Sequence, residues 1–168
     1  MPATYDPIAT TTLGSANNSI TFSSIPSTYT DLRVIITPLA NATVYYMAIQ
    51  LNGDTGSNYS FTSLYGNGSS ATSNSQTSQT EIGIIWFNGA TTTIPAFATI
   101  DLFSYAGSTN KTVLATNSAD NNGSGTVERH VGLWRNTAAI TSIKLFDTST
   151  GRQMKAGTTA TLYGIKNA

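Results

Sequence analysis

The sequence contains no cysteine and very little charge. Without cysteine the chain can form neither a disulfide nor a thiolate metal site, and a single histidine excludes the ordinary zinc and copper centres as well. Charged residues make up only 10% of the 168 residues, against about 25% in a typical soluble domain, and they sum to zero. We expect no metal and no other cofactor. The low charge fits either a protein that lives in an assembly or one kept soluble by its many hydroxyl and amide groups.

The sequence also lacks a basic cluster, a long apolar run and a secretory signal. Nucleic-acid-binding proteins displace counterions with clustered Lys and Arg, whereas the eight basic residues here are spread along the chain. Because the basic residues are not clustered, we expect no nucleic-acid partner. The longest apolar runs are only as long as a strand, such as Val34-Ile35-Ile36, so we expect no membrane span. Residues 1–7 have no basic or apolar signal region, so we expect synthesis in a cytoplasm without a signal peptide.

What the sequence does contain is a repeated alternation of apolar and polar residues, which is typical of half-buried strands. Turn residues such as Asn52-Gly53 and Asn88-Gly89 follow several of these runs. The alternating segments are Ile20–Phe22, Leu32–Thr37, Tyr45–Asn52, Ile82–Phe87, Thr99–Phe103, Lys111–Ala115, Val127–Arg135, Ile140–Phe146 and Thr159–Ile165. The pattern predicts an all-β fold: one domain over residues 1–168, an antiparallel β-sandwich, jelly-roll-like, with about nine or ten strands.

Two segments stand outside this pattern. Residues 66–80 have low complexity and no charge, so they cannot bury enough apolar surface to offset the entropy of ordering them. We predict a long loop there, either a contact loop ordered by a neighbouring molecule or an excursion with no partner. Residues 1–7 are predicted to form an N-terminal arm.

The few candidates for chemistry favour structural roles. His130 shares a strand face with Glu128, which predicts a His–Glu contact rather than a hydrolase triad. The segment 52–58 resembles a calcium loop but offers one carboxylate, so a plain turn is favoured. Asp101 and Glu128 lie in predicted strands where they could meet on one face, yet nothing places them at the separation a glycosidase needs. We expect no enzyme, and assign no catalytic, cofactor-binding or metal-binding residue.

The aromatic residues allow two interpretations. Trp86 and Trp134 are expected in the core, although aromatic side chains also serve as sugar platforms and interface hot spots. Tyr45 and Tyr46 point to opposite faces of their strand, so at most one of them is expected to be exposed.

Several short motifs spread over nearly the whole chain carry a resemblance. They are Tyr5-Asp6-Pro7-Ile8-Ala9-Thr10-Thr11-Thr12-Leu13-Gly14, Ile20-Thr21-Phe22-Ser23-Ser24-Ile25-Pro26, Tyr29-Thr30-Asp31-Leu32-Arg33, Leu51-Asn52-Gly53-Asp54, Ser57-Asn58-Tyr59, Leu64-Tyr65-Gly66-Asn67-Gly68, Tyr105-Ala106-Gly107-Ser108-Thr109-Asn110-Lys111, Leu133-Trp134, Asn136-Thr137-Ala138-Ala139-Ile140-Thr141-Ser142-Ile143 and Ala160-Thr161-Leu162-Tyr163-Gly164-Ile165-Lys166. With these motifs the chain resembles small structural proteins of tailed phages, especially those of marine and cyanobacterial hosts. The resemblance implies a virion component and brings no catalytic residues with it.

We therefore expect a virion protein that decorates or cements the capsid, binds the major capsid protein and forms a homo-oligomer. One alternative is a tail, fibre or baseplate protein that binds host-surface glycan through the 66–80 segment and exposed tyrosines. Another is a secreted carbohydrate-binding module, which the missing signal peptide disfavours.

Overall fold

The computed structural model describes residues 4–41, 44–88, 91, 93–120, 122–149 and 151–166; the side chains of residues 44–45 and 85–88 lie outside this description. Within these ranges the fold is all-β, with twelve strands and no helix. The strands are β1 (Tyr5–Thr12), β2 (Ser19–Phe22), β3 (Asp31–Thr37), β4 (Val44–Leu51), β5 (Tyr59–Gly66), β6 (Ala71–Gln79), β7 (Ile82–Asn88), β8 (Phe97–Phe103), β9 (Lys111–Ala119), β10 (Thr126–Trp134), β11 (Ile143–Asp147) and β12 (Thr159–Ile165).

The strands form two antiparallel sheets in a sandwich-like arrangement. The eight-stranded sheet has the order β1-β12-β3-β8-β9-β10-β5-β6, and the four-stranded sheet has the order β2-β11-β4-β7. Many of the pairs are nested along the sequence: β5 with β6, β4 with β7, β3 with β8, β2 with β11 and β1 with β12. In the eight-stranded sheet the β9–β10 hairpin lies between β8 of the β3–β8 pair and β5 of the β5–β6 pair.

Alternating burial shows why these segments form strands. Along β10 every second side chain is buried, and β3 repeats the pattern with Leu32, Val34 and Ile36 fully buried. The three β3 side chains belong to a hydrophobic cluster that also takes in Trp134 of β10 and Ile49 and Leu145 of the four-stranded sheet. The period of two thus places one face of each sheet on the core and the other toward solvent.

The prediction of a long loop over residues 66–80 is wrong. Ala71–Gln79 forms strand β6, which pairs with β5 in register from Gly66↔Ala71 to Phe61↔Gln76. Eight of its nine side chains are exposed, so the strand has no apolar alternation for a sequence pattern to detect. Its backbone hydrogen bonds to β5 hold it in the sheet instead.

The predicted strand number and N-terminal arm also need correction. Twelve strands are present rather than nine or ten, because β1, β5 and β6 lie at or near sheet edges and carry weak apolar patterns. Of the predicted arm, Tyr5, Asp6 and Pro7 belong to β1 and pair with β12. Residues 1–3 lie outside the described residues.

Candidate interaction surfaces

The only histidine is part of a buried polar cluster, not of a nucleophilic site. His130 Nε2 lies 2.8 Å from Glu128 Oε2, and their side chains are 8% and 1% exposed. Asn117 sits opposite Glu128 in the register of β9 and β10. In the described part of the chain, His130 Nδ1 and the side-chain amide of Asn117 have no hydrogen-bond partner. The predicted His–Glu contact is confirmed, and no described hydroxyl is hydrogen-bonded to the imidazole.

The two carboxylates considered as an acid pair do not meet. Asp101 lies on the outer face of the eight-stranded sheet, where Arg33 donates to both of its oxygens at 2.6 and 3.0 Å. Glu128 is buried on the opposite face beside His130. The expectation that they could share a face is wrong, because Asp101 is aligned with Leu114 and Val131, an odd number of residues from Glu128 along β10.

The segment that resembled a calcium loop is a hydrogen-bonded turn. Asp54 Oδ1 accepts from the Gly56 amide at 2.8 Å, and Oδ2 accepts from Asn58 Nδ2 at 2.9 Å and Trp134 Nε1 at 2.7 Å. The hydrogen bond from Trp134 is the largest cause that lowers the pKa of Asp54 below its usual value. Donors already surround this carboxylate, so the arrangement suits a structural turn and not a cation. Nowhere in the described ranges do three or more His, Cys, Asp or Glu side chains group to hold a metal ion.

Several residues that carry the resemblance build this end of the sandwich. Asn52, at φ 55°, accepts hydrogen bonds from the backbone amides of Thr141 and Ser142 at 2.8 and 3.1 Å. The Tyr59 hydroxyl donates to the Asp54 carbonyl at 3.0 Å, and its ring stacks on Trp134 with the centroids 6.2 Å apart. These motif residues therefore stabilise the fold, and the candidate interaction surfaces are formed by other residues.

Lys111 is a buried charge with a structural partner set. Its side chain is fully buried, and Nζ donates to the carbonyls of Gly107 and Thr109 at 2.5 Å and of Thr137 at 3.3 Å. Burial lowers the pKa of this amine. The lysine ties the loop after β8 to the loop after β10.

The large aromatic residues divide between the core and the surface. Trp134 is fully buried, as predicted, and Tyr46 is 37% exposed. The side chains of Trp86 and Tyr45 lie outside the described residues, so their predicted placements stay predictions.

An apolar outer face covers part of the eight-stranded sheet. We use this name for Leu64, Phe97, Phe103, Val127 and Val131, which are 57%, 47%, 42%, 65% and 46% exposed. They lie on β5, β10 and β8, and small polar residues of β9 separate β8 from β10. A groove of about 460 Å³ continues this face past Phe97 and Val127 to the turns after β5 and β9. Thr116, Ser118 and the exposed Arg129 lie among these apolar side chains on the same face. A group of exposed apolar residues edged by polar ones is a candidate interaction surface.

The two edges of the same sheet differ in how they are protected. Strand β1 carries Pro7 and a register shift between Pro7 and Ala9, and both features discourage a further strand. Strand β6 has nine residues with neither charge nor proline, and its pairing with β5 is regular from Ala71 to Gln76, with a register shift only beyond Gln76. Its free backbone edge is therefore the one suited to pairing with another strand.

A second, polar groove of about 270 Å³ lies between the β5–β6 hairpin and the four-stranded sheet. Phe61, Asn74 and Gln76 line it from the hairpin, and Tyr46 and Gly83 line it from β4 and β7. Sequence reasoning missed this groove because it exists only once β6 is paired.

Comparison with known proteins gives no assignment. Among the residues that the structure describes there is no helix long and apolar enough to cross a membrane. No protein-family model, no curated protein and no solved structure matches the chain.

Proposed function

We propose that this protein is a structural component of a tailed-phage virion that decorates or cements the capsid shell by binding the major capsid protein. The observation that carries the proposal is the apolar outer face. Its role is binding alone, with no catalytic step. We choose a tailed-phage virion as the particle because the sequence motifs resemble those of small phage structural proteins.

The chemistry of the apolar outer face suits a protein partner. Protein interfaces have an apolar, charge-depleted centre and a polar rim. Here Thr and Ser surround most of the exposed apolar residues, and Arg33 and Asp101 are paired with each other. The face also carries the exposed Arg129, which lies opposite Leu64 and between Val127 and Val131 on β10. Complete burial of one Val, Leu or Phe side chain contributes about 1.5–3 kcal/mol. A homo-oligomer that presents several such faces to a shell with many equivalent sites gains further affinity through multivalency.

The topology supports the same proposal. Nested pairing of early with late strands is what results when one long antiparallel hairpin is rolled into two sheets, and we propose a jelly roll with the β9–β10 hairpin inserted. Jelly rolls are common in viral shells and in lectins, which is an analogy of fold and not of site. We further propose that copies of the chain pair with one another along the free edge of β6. Light scattering in solution measures the mass of the resulting oligomer.

Quantitative mass spectrometry of purified particles tests the proposal. Scaled to the major capsid protein, the wild-type chain is expected in on the order of hundreds of copies per particle, as a shell component requires. Val131→Glu places a charge in the apolar outer face and is expected to reduce this copy number at least tenfold, because the carboxylate must be desolvated on docking. Thr55→Glu adds the same charge at an exposed turn and is the matched control.

Two outcomes contradict the proposal in different ways. A copy number of a few to a few dozen assigns the protein to the tail, fibre or baseplate. Equal incorporation of the Val131→Glu and Thr55→Glu chains in high copy number keeps the shell location but removes the apolar outer face from the contact.

A further inference from the structure

The polar groove is built by the close approach of two sheets. Phe61 of β5 packs directly over Gly83 of β7, where a Cβ atom would lie 3.2 Å from Phe61 Cζ. Beyond this contact the β5–β6 hairpin and the outer side of β4 and β7 stand apart and leave a groove of about 270 Å³. Ligand pockets start at about 300 Å³, so this groove admits a small ligand or a single residue of a longer one.

The groove presents uncommitted amide groups. Asn74 and Gln76 line it, and neither side-chain amide has a hydrogen-bond partner among the residues that the structure describes. Each amide offers two donors and an acceptor, and Ser63 and Thr148 add hydroxyl groups nearby. This combination matches a ligand that itself carries several hydroxyl groups, each of which both donates and accepts.

An aromatic ring borders the same space. Tyr46 lines the groove and is 37% exposed, and the Arg152 guanidinium lies 5.7 Å from its ring centroid. A tyrosine ring combines an apolar body with a polar tip. It offers the C–H face of a sugar ring a surface to pack on, while the amides reach the ring hydroxyls.

The charges around the groove select against acidic ligands. Glu81 lines it, and His130 does so with its Nε2 already bound to Glu128. Among the described residues no lysine or arginine lines the groove. Phosphate, sulfate and carboxylated sugars therefore meet a carboxylate in the groove lining, whereas the Arg152 guanidinium lies by the Tyr46 ring and is not part of the lining, so the groove itself favours neutral ligands.

We propose that this groove binds a neutral saccharide, one sugar residue at a time. The site is separate from the apolar outer face and does not depend on the shell location proposed above. Asn74 and Gln76 supply the polar contacts, and Tyr46 supplies the packing surface. Wherever several copies are held together, weak single-site binding adds up to firm attachment to a glycan-coated surface.

Strand alternation provides a matched pair of variants for the test. The double variant Asn74→Ala with Gln76→Ala removes both side-chain amides from the groove. The double variant Ser73→Ala with Ser75→Ala makes the same number of substitutions on the other face of β6. The purified chains are applied to an array of neutral hexose and N-acetylhexosamine oligosaccharides that also carries sialylated and phosphorylated glycans. Wild type and the serine variant are expected to bind the same neutral glycans, and the amide variant is expected to lose at least tenfold in signal.

Titration of the wild-type protein with the best neutral glycan makes the test independent of variant folding. The side-chain amide resonances of Asn74 and Gln76 are expected to shift in ¹H–¹⁵N spectra, while resonances of the apolar outer face stay in place. The proposal is overturned by any of three results: no neutral glycan bound at millimolar concentration, a preference for the acidic glycans, or shifts that map elsewhere. None of these results bears on the copy number in the particle, so the two proposals fail separately.

Discussion

The hydrogen bond from Trp134 Nε1 to Asp54 Oδ2 should be one of the stronger single contacts in the fold. It is 2.7 Å long, joins the end of β10 to the turn after β4, and has an ionised acceptor. Hydrogen bonds to charged groups contribute about 1.5–3 kcal/mol. Trp134→Phe removes this bond and part of a fully buried ring, so the free energy of unfolding is expected to fall by about 3 kcal/mol.

A double-mutant cycle separates the hydrogen bond from the lost packing. Asp54→Ala, Trp134→Phe and the double variant are unfolded in urea at pH 7 and followed by far-ultraviolet circular dichroism. The coupling energy is expected to be about 1.5–2 kcal/mol. Asp120→Ala is the control, because this carboxylate caps Gly123 at the opposite end of the β9–β10 hairpin, roughly 26 Å away. Its effect should add to that of Trp134→Phe within about 0.5 kcal/mol.

The pH dependence gives a second test of the same bond. The pKa of Asp54 in the folded protein is lowered, first by Trp134, from an ordinary value of 3.8. The stability that Asp54 contributes is therefore present above that ordinary value and is lost as the pH falls through the folded pKa. The coupling energy should shrink at the acid end, and Trp134→Phe should move the Asp54 pKa upward. A coupling below about 0.5 kcal/mol at pH 7, or one unchanged in acid, would refute the assignment.

Two further predictions concern the interior. Gly132→Ala places a Cβ atom 2.6 Å from Ile82 Cγ2, so the free energy of unfolding in urea should fall by about 1–3 kcal/mol. Gly14→Ala is the control, because its Cβ atom would have nothing within 4 Å, and the free energy of unfolding should stay nearly unchanged. Equal effects of the two substitutions would contradict the packing of β7 on β10. Lys111→Met leaves carbonyls without their donor and should cost about 2–3 kcal/mol. The pKa of Lys111 is lowered in the folded protein, so just below the ordinary value of 10.5 the unfolded chain binds more protons than the folded one. The free energy of unfolding of the wild type therefore rises with pH in this range. The difference in free energy of unfolding between the wild type and Lys111→Met should widen accordingly. A constant difference would contradict this burial.

The sequence pattern predicted those strands that bury one face. In β3 and β8 the apolar side chains face the core at every second position, so the period of two is visible without a structure. Strand β6 could not be found in this way, since its side chains are exposed on both faces and its stability comes from backbone pairing with β5. A ladder of backbone hydrogen bonds leaves no trace in side-chain polarity.

Contacts within one strand were predictable, and contacts between strands were not. His130 and Glu128 are two residues apart on β10, so a shared face follows from strand geometry alone. Asp101 and Glu128 lie on different strands, and which face each occupies depends on the register. The polar groove depends on two sheets at once, so no pattern within one strand could indicate it.

The nested pairing also dictates an order of assembly. Strand β12 lies between β1 and β3, so neither early strand has its full set of neighbours until the twelfth has arrived. The β5–β6 and β9–β10 hairpins close short loops and can form early, whereas the Tyr5↔Ile165 pair closes a loop of nearly the whole chain. Such high contact order predicts folding in milliseconds to seconds. Until β12 docks, Val34 and its neighbours on β3 remain uncovered along one side, and the half-formed sheet is the species most exposed to aggregation.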